Sequence, residues 1–276
     1  MFHIQERTLP PKSLLITFDD AYRNHYDIAL PELNKRNVSG LFFIPGKVVK
    51  ERKILDVNKI HLILSKLDIK TILNEIYLLI KQNRVQYNFE GDENIYNKFV
   101  DTGKKAGYRW DTNDIIFIKQ GLQRLLPKPI RKKIIDNLFT KIYGNDEEKV
   151  SSEIYMNSNE VNEMINNQMY IGAHGFEHDW LNSMNKDEQQ EELLKSCQML
   201  KGFKINEKLW SISFPFGGFD KTTLDLCKIH EFKLGFTTLP KTADLINDDV
   251  LTMPRLDTND FPCKDNSNPP IHYYYS

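Results

Sequence analysis

The chain has 276 residues with 37 Lys or Arg and 38 Asp or Glu, so its formal net charge at pH 7 is −1. This balance offers no basic footprint for nucleic acid or for an anionic membrane surface. There is no apolar run of about 18 residues, so no transmembrane segment is expected. There is also no basic-then-apolar leader, and the three dispersed cysteines (Cys197, Cys227, Cys263) form no disulfide or metal pattern. Both observations predict a cytoplasmic protein.

The first predicted element is an apolar run, residues 14–18, that ends in Asp19 and Asp20. Its length and composition predict a buried strand, and parallel α/β folds gather functional groups where such strands end. Because neighbouring residues of an extended strand point to opposite faces, we expect the two carboxylates to differ in role. One would bind a metal and the other would handle a proton. An Asp-initiated turn is the alternative interpretation of an isolated Asp-Asp pair.

A strand, a helix and a second strand are predicted over the first 45 residues. Residues 26–36 have a broken helical pattern in which Pro31 lies in the first turn or makes a kink. Residues 39–44 predict the second strand, and a strand-helix-strand order indicates parallel pairing. His25 lies close to the Asp pair, and we interpret it as a polar loop residue rather than a site residue.

Residues 51–157 predict a helical insertion. Ile72, Ile76, Leu79 and Ile80 repeat at helical spacing, and two further apolar stripes stop at Pro127 and Gly144. Such an insertion would either shape a substrate pocket or only stabilise the fold.

Two imidazoles four residues apart, His174 and His178, follow the short apolar segment 171–173. On a helical turn or in a folded loop, this spacing lets both rings face one ion. Two His and one Asp would hold zinc or a similar divalent metal and leave positions for water and substrate. Surface helices also carry such pairs by chance, and it is the combination with Asp19 and Asp20 that favours a metal site.

Helices and strands alternate through the remainder of the chain. The helices are predicted to begin at Asn157, Asn185 and Asp220. The strands are predicted over residues 210–214, 232–237 and 251–256. Because the polar motifs follow strand ends, the expected fold is α/β: a distorted, incomplete parallel (β/α) barrel with the helical insertion, forming a single domain over residues 1–276.

Three motifs, in this order, resemble the polysaccharide deacetylases of carbohydrate esterase family 4, the NodB-type homology domain. The family's Thr-Phe-Asp-Asp-Gly is matched by residues 17–20, with Ala21 in the place of the glycine. Its pair of histidines four apart is matched by His174 and His178, and its Pro-aromatic-Gly by residues 215–217. The likeness covers roughly residues 12–50 and 155–260. The layout is most similar to the poly-N-acetylglucosamine deacetylase branch, whose upstream aromatic-His motif resembles Phe2-His3.

The resemblance implies the roles of the candidate site residues. Asp20, His174 and His178 would hold one divalent metal ion, with Zn²⁺ expected and Co, Ni, Mn or Fe as alternatives. Asp19 would be the general base that takes a proton from water. The backbone N–H of Phe216, within the motif Pro215-Phe216-Gly217, would stabilise the oxyanion. His3 is the candidate general acid, and His61 and His272 are rivals for that role.

Two departures from the family pattern concern the same site. Many members carry Arg two residues before the Pro-aromatic-Gly motif, where this chain has Ser213. Arg255 is a candidate replacement that would orient Asp19 and lower its pKa, and a surface ion pair with Asp257 or Asp260 is the alternative. The family's C-terminal Leu-x-His motif is also missing, which leaves the general acid open.

The expected function is therefore a metal-dependent hydrolase that removes an N-acetyl group from an amino sugar. With no export signal, its substrate would be nucleotide-, lipid- or glycan-linked, as in surface-polysaccharide biosynthesis. Two alternatives stand beside it: a carbohydrate-binding relative without turnover, and an N-deacylase of a non-sugar amide. The sequence leaves the sugar, the linkage and the oligomeric state open.

Overall fold

The computed structural model describes residues 9–10, 13–105 and 111–260, which divide into two compact units. Unit 1 comprises the described residues up to Lys53 and from Glu148 onward, and unit 2 comprises Ile54–Glu147. Among the described residues, no helix has both the length and the apolar composition needed to cross a lipid bilayer.

Unit 1 contains a sheet of five parallel strands that pair in the order in which they occur along the chain. The strands are β1 (Thr17–Phe18), β2 (Leu41–Ile44), β3 (Tyr170–Ala173), β4 (Ser211–Ser213) and β5 (Leu234–Phe236). With helices around it, the curved sheet is an incomplete (β/α) barrel, so the predicted fold is confirmed. Because the strands are parallel, their carboxyl ends meet at one edge, which is where the predicted motifs lie.

The centre of the sheet is apolar on both faces. All four residues of β2, from Leu41 to Ile44, are 0% exposed, which is typical of a parallel strand covered from both sides. On one face, Phe43 and Phe236 pack together with Met253 in a cluster that also includes Leu41 and Leu234. This buried core anchors the strand ends that carry the polar residues.

Three helices of unit 1 begin where their capping residues predicted. Asn157 and Glu160 form a capping box, as do Asn185 and Glu188, and Asp220 caps the next helix through Thr223. Pro31 lies in the first turn of its α-helix, which is one of the two placements that the sequence allowed, and a π-helical turn (His25–Ala29) leads directly into this helix. The helices are α1 (Leu30–Lys35) and α2 (Gly46–Lys50), then α8 (Glu147–Ile154), α9 (Ser158–Asn166), α10 (Lys186–Gly202) and α11 (Lys221–Ile229).

Unit 2 is helical. Ile72, Ile76, Leu79 and Ile80 are buried along one stripe of the second helix, as their spacing predicted. Its helices are α3 (Asp56–Lys66), α4 (Ile69–Gln82), α5 (Asp92–Lys105), α6 (Asn113–Gln120) and α7 (Lys128–Tyr143). Within this unit, buried Lys59 forms ion pairs with Asp136 at 2.9 Å and Glu147 at 3.0 Å.

Two of the predicted strands differ from the structure. The first strand is confined to Thr17–Phe18, and Leu14 is 76% exposed, because residues 17 and 18 are the ones that pair with β2. Residues 251–256 form no strand: only Met253 bridges to Phe236. Pro254 follows directly and has no N–H to continue a ladder.

Candidate active site

The three predicted metal ligands come together at the carboxyl edge of the sheet. Asp20 follows β1, His174 follows β3, and His178 lies in the loop after His174. One ligand atom from each lies within 4.8 Å of the other two. Both imidazoles are buried, at 4% and 8% exposure, whereas Asp20 is partly open to solvent. The pair therefore faces one point from a folded loop rather than from a helical turn.

Left-handed backbone conformations aim these side chains. Asp20 has φ 78°, His178 has φ 60° and Phe216 has φ 57°, and Ala21 follows Asp20 with φ 58°. Non-glycine residues seldom adopt positive φ, and when they do the strain clusters at functional sites, where the surrounding structure enforces it. The conformation of Ala21 also gives a physical reason for a glycine at that position of the motif, since glycine adopts it without steric cost.

The two imidazoles are oriented by different contacts. Nδ1 of His174 lies 2.7 Å from the backbone carbonyl oxygen of Ser213. Because a carbonyl can only accept, Nδ1 must carry the proton, and in the neutral ring Nε2 presents its lone pair. The His178 ring instead packs edge-on against the Phe216 ring, with 4.7 Å between the ring centroids. The Phe216 ring in turn stacks on Trp180, with a centroid distance of 4.9 Å.

The arrangement of donor atoms fits a small divalent cation. Nε2 of His178 lies 3.2 Å from Nε2 of His174 and 3.1 Å from Oδ1 of Asp20. Nε2 of His174 lies 3.4 Å from the same Oδ1. Ligands in tetrahedral contact with zinc, at about 2.0–2.1 Å from the ion, are themselves about 3.3 Å apart. Oδ1 of Asp20 is also buried and accepts no hydrogen bond from the described residues. Two nitrogens and a carboxylate oxygen suit Zn²⁺ and related transition metals.

Asp19 is held by Arg255 and Ser213. Arg255 donates from Nη1 to Oδ1 at 2.9 Å and from Nη2 to Oδ2 at 2.8 Å, and the Ser213 hydroxyl donates to Oδ2 at 3.0 Å. Arg255 also donates to Ser213 Oγ at 2.9 Å and to Thr17 Oγ1 at 3.2 Å. Of the two arrangements that the sequence allowed for Arg255, the structure has the one with Asp19.

These contacts keep both carboxylates ionised. Burial raises the pKa of Asp19, but the Arg255 guanidinium and the His174 ring lower it by more, so the pKa lies below its ordinary value. Burial likewise raises the pKa of Asp20, and the rings of His178 and His174 bring it well below the ordinary value. Burial lowers the pKa of His174, yet the two carboxylates raise it overall. Asp20 is thus a carboxylate that stays ionised beside two imidazoles, a donor set that suits a divalent cation.

A tight turn after β4 carries the Pro-aromatic-Gly motif. Residues Pro215–Gly217 form one helical turn, whose hydrogen bonds are donated by the N–H of Gly217 to Phe214 and by the N–H of Gly218 to Pro215. The N–H of Phe216 is not used by these two bonds. A Cβ on Gly217 would lie 2.3 Å from Oγ1 of Thr238, so this turn has room for glycine only.

None of the three candidate general acids lies among the described residues of unit 1. His3 and His272 lie outside the residues that the structure describes. His61 lies on α3 in unit 2, beside Lys119 and Asp111, where burial lowers its pKa. His25 is half-buried against Phe18, Tyr22 and Phe42, and burial lowers its pKa to about 4.

The sequence did not predict that two residues, Ser213 and Trp180, contribute to the site. Ser213 was noted only as a departure, yet its carbonyl orients His174 and its hydroxyl bonds Asp19. Trp180 stacks on the Phe216 ring. The position of Ser213 at a strand end, two residues before Pro215, was a usable signal, whereas the stacking of Trp180 depends on how two separate loops meet.

Comparison with solved structures shows a shared fold. The deacetylase PplD of Streptococcus pyogenes, determined in complex with acetate, is 16% identical, with a TM-score of 0.51 over 92% of this chain and 69% of that one. The BpsB deacetylase domain from Bordetella bronchiseptica is 12% identical, with a TM-score of 0.51 over 92% of this chain and 75% of that one. A sequence search of curated proteins found no match.

A sequence profile of the polysaccharide deacetylases matches residues 6–79 and 144–235, which is more than half of the chain. The matched segments contain Asp19, Asp20, His174, His178 and Phe216, and the gap between them falls within unit 2. Arg255 lies beyond the matched segments. The chain therefore belongs to the polysaccharide deacetylase family, as its three motifs predicted.

Proposed function

We propose that this protein is a metal-dependent hydrolase that removes the N-acetyl group of an amino sugar. The observation that carries the proposal is the convergence of Asp20, His174 and His178 on one point beside Asp19, which Arg255 holds as a carboxylate. A metal site next to a fixed base supplies the activated water that amide hydrolysis of this type needs for its first step.

The metal would be held by Asp20, His174 and His178, and Zn²⁺ is the ion that this donor set favours. When bound, such an ion acts as a Lewis acid and lowers the pKa of water from 15.7 toward roughly 7. Asp19 accepts the proton of the attacking water as general base. Its paired contacts with Arg255 stop the carboxylate from rotating away, and the Ser213 hydroxyl fixes one of its two oxygens.

When water attacks the acetyl carbon, an oxyanion develops on the carbonyl oxygen and needs a hydrogen-bond donor. The backbone N–H of Phe216 is our candidate. The N–H groups of Gly217 and Gly218 donate the hydrogen bonds of the turn, and that of Phe216 donates to neither of these two bonds. The departing amine must also be protonated, since an amide nitrogen leaves poorly otherwise. His3 is our candidate for that acid, with His61 and His272 as the residues to compare.

The test combines metal analysis with amine release from a panel of N-acetylated substrates. Purified protein would be assayed on nucleotide-, lipid- and glycan-linked N-acetylhexosamines and on non-sugar acetamides, as wild type, D19N and D20N. We expect D19N to retain metal while its kcat falls by about 10²–10⁴-fold, since it loses a general base. D20N should lose both metal and activity. D27N is the matched control, because Asp27 is an exposed carboxylate in the same segment that pairs only at the surface with Arg23.

Three results would replace the proposal. Bound metal with no product from any substrate, and with D19N indistinguishable from wild type in ligand binding, would identify a carbohydrate-binding relative. Product from the non-sugar acetamides alone would identify an N-deacylase of another class. Full turnover in thoroughly demetallated protein would exclude a metal-dependent mechanism.

A further inference from the structure

A buried carboxylate outside the three motifs anchors the loop between the two histidines. Glu192, in the middle of α10, is 5% exposed, and its Oε2 accepts the N–H of Phe176 at 2.9 Å and the N–H of Glu177 at 3.0 Å. We propose that Glu192 is a positioning residue that fixes this loop so that His174 and His178 face the same metal ion. The inference rests on the metal-dependent function proposed above.

The opposite side of the loop is held by the start of α2. The N–H of Gly46 donates to the carbonyl of Gly175 at 3.1 Å, and the N–H of Lys47 donates to the carbonyl of Phe176 at 2.9 Å. Two elements therefore hold the peptide groups between the histidines, one through their carbonyls and the other through their N–H groups. The α2 contacts to these peptide groups are made by backbone, and the Lys47 side chain adds an ion pair with the Glu177 side chain at 2.9 Å. Glu192 is therefore the side chain through which a substitution can release the peptide groups themselves.

The loop has left-handed backbone at both ends, and at His178 this conformation is strained. Gly175 has φ 67° and His178 has φ 60°. A non-glycine residue keeps a left-handed conformation only where its surroundings over-determine it. A carboxylate that accepts two charge-assisted hydrogen bonds from consecutive N–H groups is a strong constraint of that kind. It acts on two consecutive peptide groups, those of the Phe176 and Glu177 N–H groups, which lead into the strained backbone of His178.

Glu192 itself is held in a rigid element. The helix α10 runs from Lys186 to Gly202 and begins with the capping box of Asn185 and Glu188. Leu193, Cys197 and Leu200 are buried along it, and the helix packs beside β3. Groups that orient metal ligands without touching the metal are typically worth about 10–100-fold in metal affinity.

The experiment measures Co²⁺ affinity of the full chain by absorption titration, with the thermal unfolding midpoint of each metal-free variant beside it. E192L removes the acceptor, and we expect about 10–100-fold weaker Co²⁺ binding. E192Q keeps an oxygen that can accept both N–H groups, and it should recover most of that loss. The matched control is Q189L: Gln189 is 1% exposed on the same helix, but its amide contacts Thr223 and Asp220 rather than the loop.

The outcomes separate this inference from the function on which it rests. Wild-type protein that binds no Co²⁺ overturns both. If wild type and E192L bind Co²⁺ with equal affinity, only the role of Glu192 is overturned. The same holds if Q189L weakens Co²⁺ binding as much as E192L does, because a general loss of packing around α10 would then explain both variants. Weaker binding in E192L, recovery in E192Q and unchanged affinity in Q189L support the inference. If E192L does not fold, E192D replaces it, and unchanged Co²⁺ affinity in E192D overturns the inference.

Discussion

Arg255 holds both oxygens of Asp19 with the two ends of its guanidinium group, although 236 residues separate them in the chain. The two hydrogen bonds, at 2.9 and 2.8 Å, form the fork that planar guanidinium and carboxylate groups favour. The fork both ionises and orients the carboxylate. Arg255 thus brings a cation to Asp19 from the loop after β5.

Substitution of Arg255 should slow turnover without loss of metal. We expect R255M to lower kcat by about 10²-fold, because a catalytic group misplaced by about 1 Å costs that much, while Co²⁺ affinity changes little. R255K keeps the charge but not the fork, so it should fall between R255M and wild type. The measurement is steady-state amine release together with Co²⁺ titration. R36M, which removes an exposed pair with Glu32, is the control, and an equal effect of both Met variants would refute the specific role.

The alanine that replaces the motif glycine should tolerate substitution by glycine unusually well. Ala21 has φ 58° and is 1% exposed. A21G relieves about 1–2 kcal/mol of left-handed strain in the folded protein. This gain offsets two losses: about 0.8 kcal/mol from the methyl group that is no longer buried, and about 0.4–1 kcal/mol from the greater conformational entropy of the unfolded chain. A29G is the control, because Ala29 has φ −68° and gains no relief. Urea unfolding should show that A21G lowers the free energy of unfolding by at least about 1 kcal/mol less than A29G does. Equal losses of unfolding free energy in the two variants would contradict this.

His25 should make the fold less stable in mild acid. Burial lowers its pKa to about 4 from an ordinary 6.5, so between these values the unfolded chain binds a proton that the folded protein does not. Stability contributed by the neutral ring is present above pH 6.5, is lost as pH falls toward 4, and changes no further below that. H25F keeps the contacts with Phe18 and Phe42 but cannot titrate.

The comparison is urea unfolding of wild type and H25F at pH 7, 6, 5 and 4.5 in the same metal-free buffer. Because His25 is only half-buried, we expect H25F to lose less stability than wild type by on the order of 1–2 kcal/mol over this range. His61 and His230 also have pKa values lowered by burial, so some slope should persist in H25F. Identical slopes in the two proteins would show that His25 titrates normally.

We propose that unit 2 is an insertion that unit 1 can lose. Arg52 and Glu148, which belong to unit 1 and flank unit 2, form an ion pair at 3.2 Å, so the chain leaves and re-enters unit 1 at neighbouring points. Replacement of Ile54–Glu147 by a Gly/Ser linker of about six residues would span this gap. We expect a cooperatively unfolding protein with Co²⁺ affinity within about threefold of wild type, measured by circular dichroism and titration. A deletion protein without cooperative unfolding would show that unit 2 is part of the fold.

The local features of this protein were predictable from its sequence. Asn157, Asn185 and Asp220 cap helices because a short polar side chain before an amphipathic run satisfies free N–H groups locally. The apolar residues of β2 predicted a buried strand, and the motif order predicted both the family and the residues that meet at the sheet edge. The capping and strand signals lie within a few residues of the features that they specify, whereas the family was indicated by the order of three separate motifs.

Only the tertiary structure decided which distant groups become partners. Arg255 pairs with Asp19 rather than with the nearby Asp257 or Asp260, and the first strand spans two residues where its apolar run predicted five. Glu192 reaches the histidine loop only because α10 packs beside it. The physical reason is that strand pairing and loop conformation set the distances between residues far apart in the chain. Local composition leaves those distances unspecified.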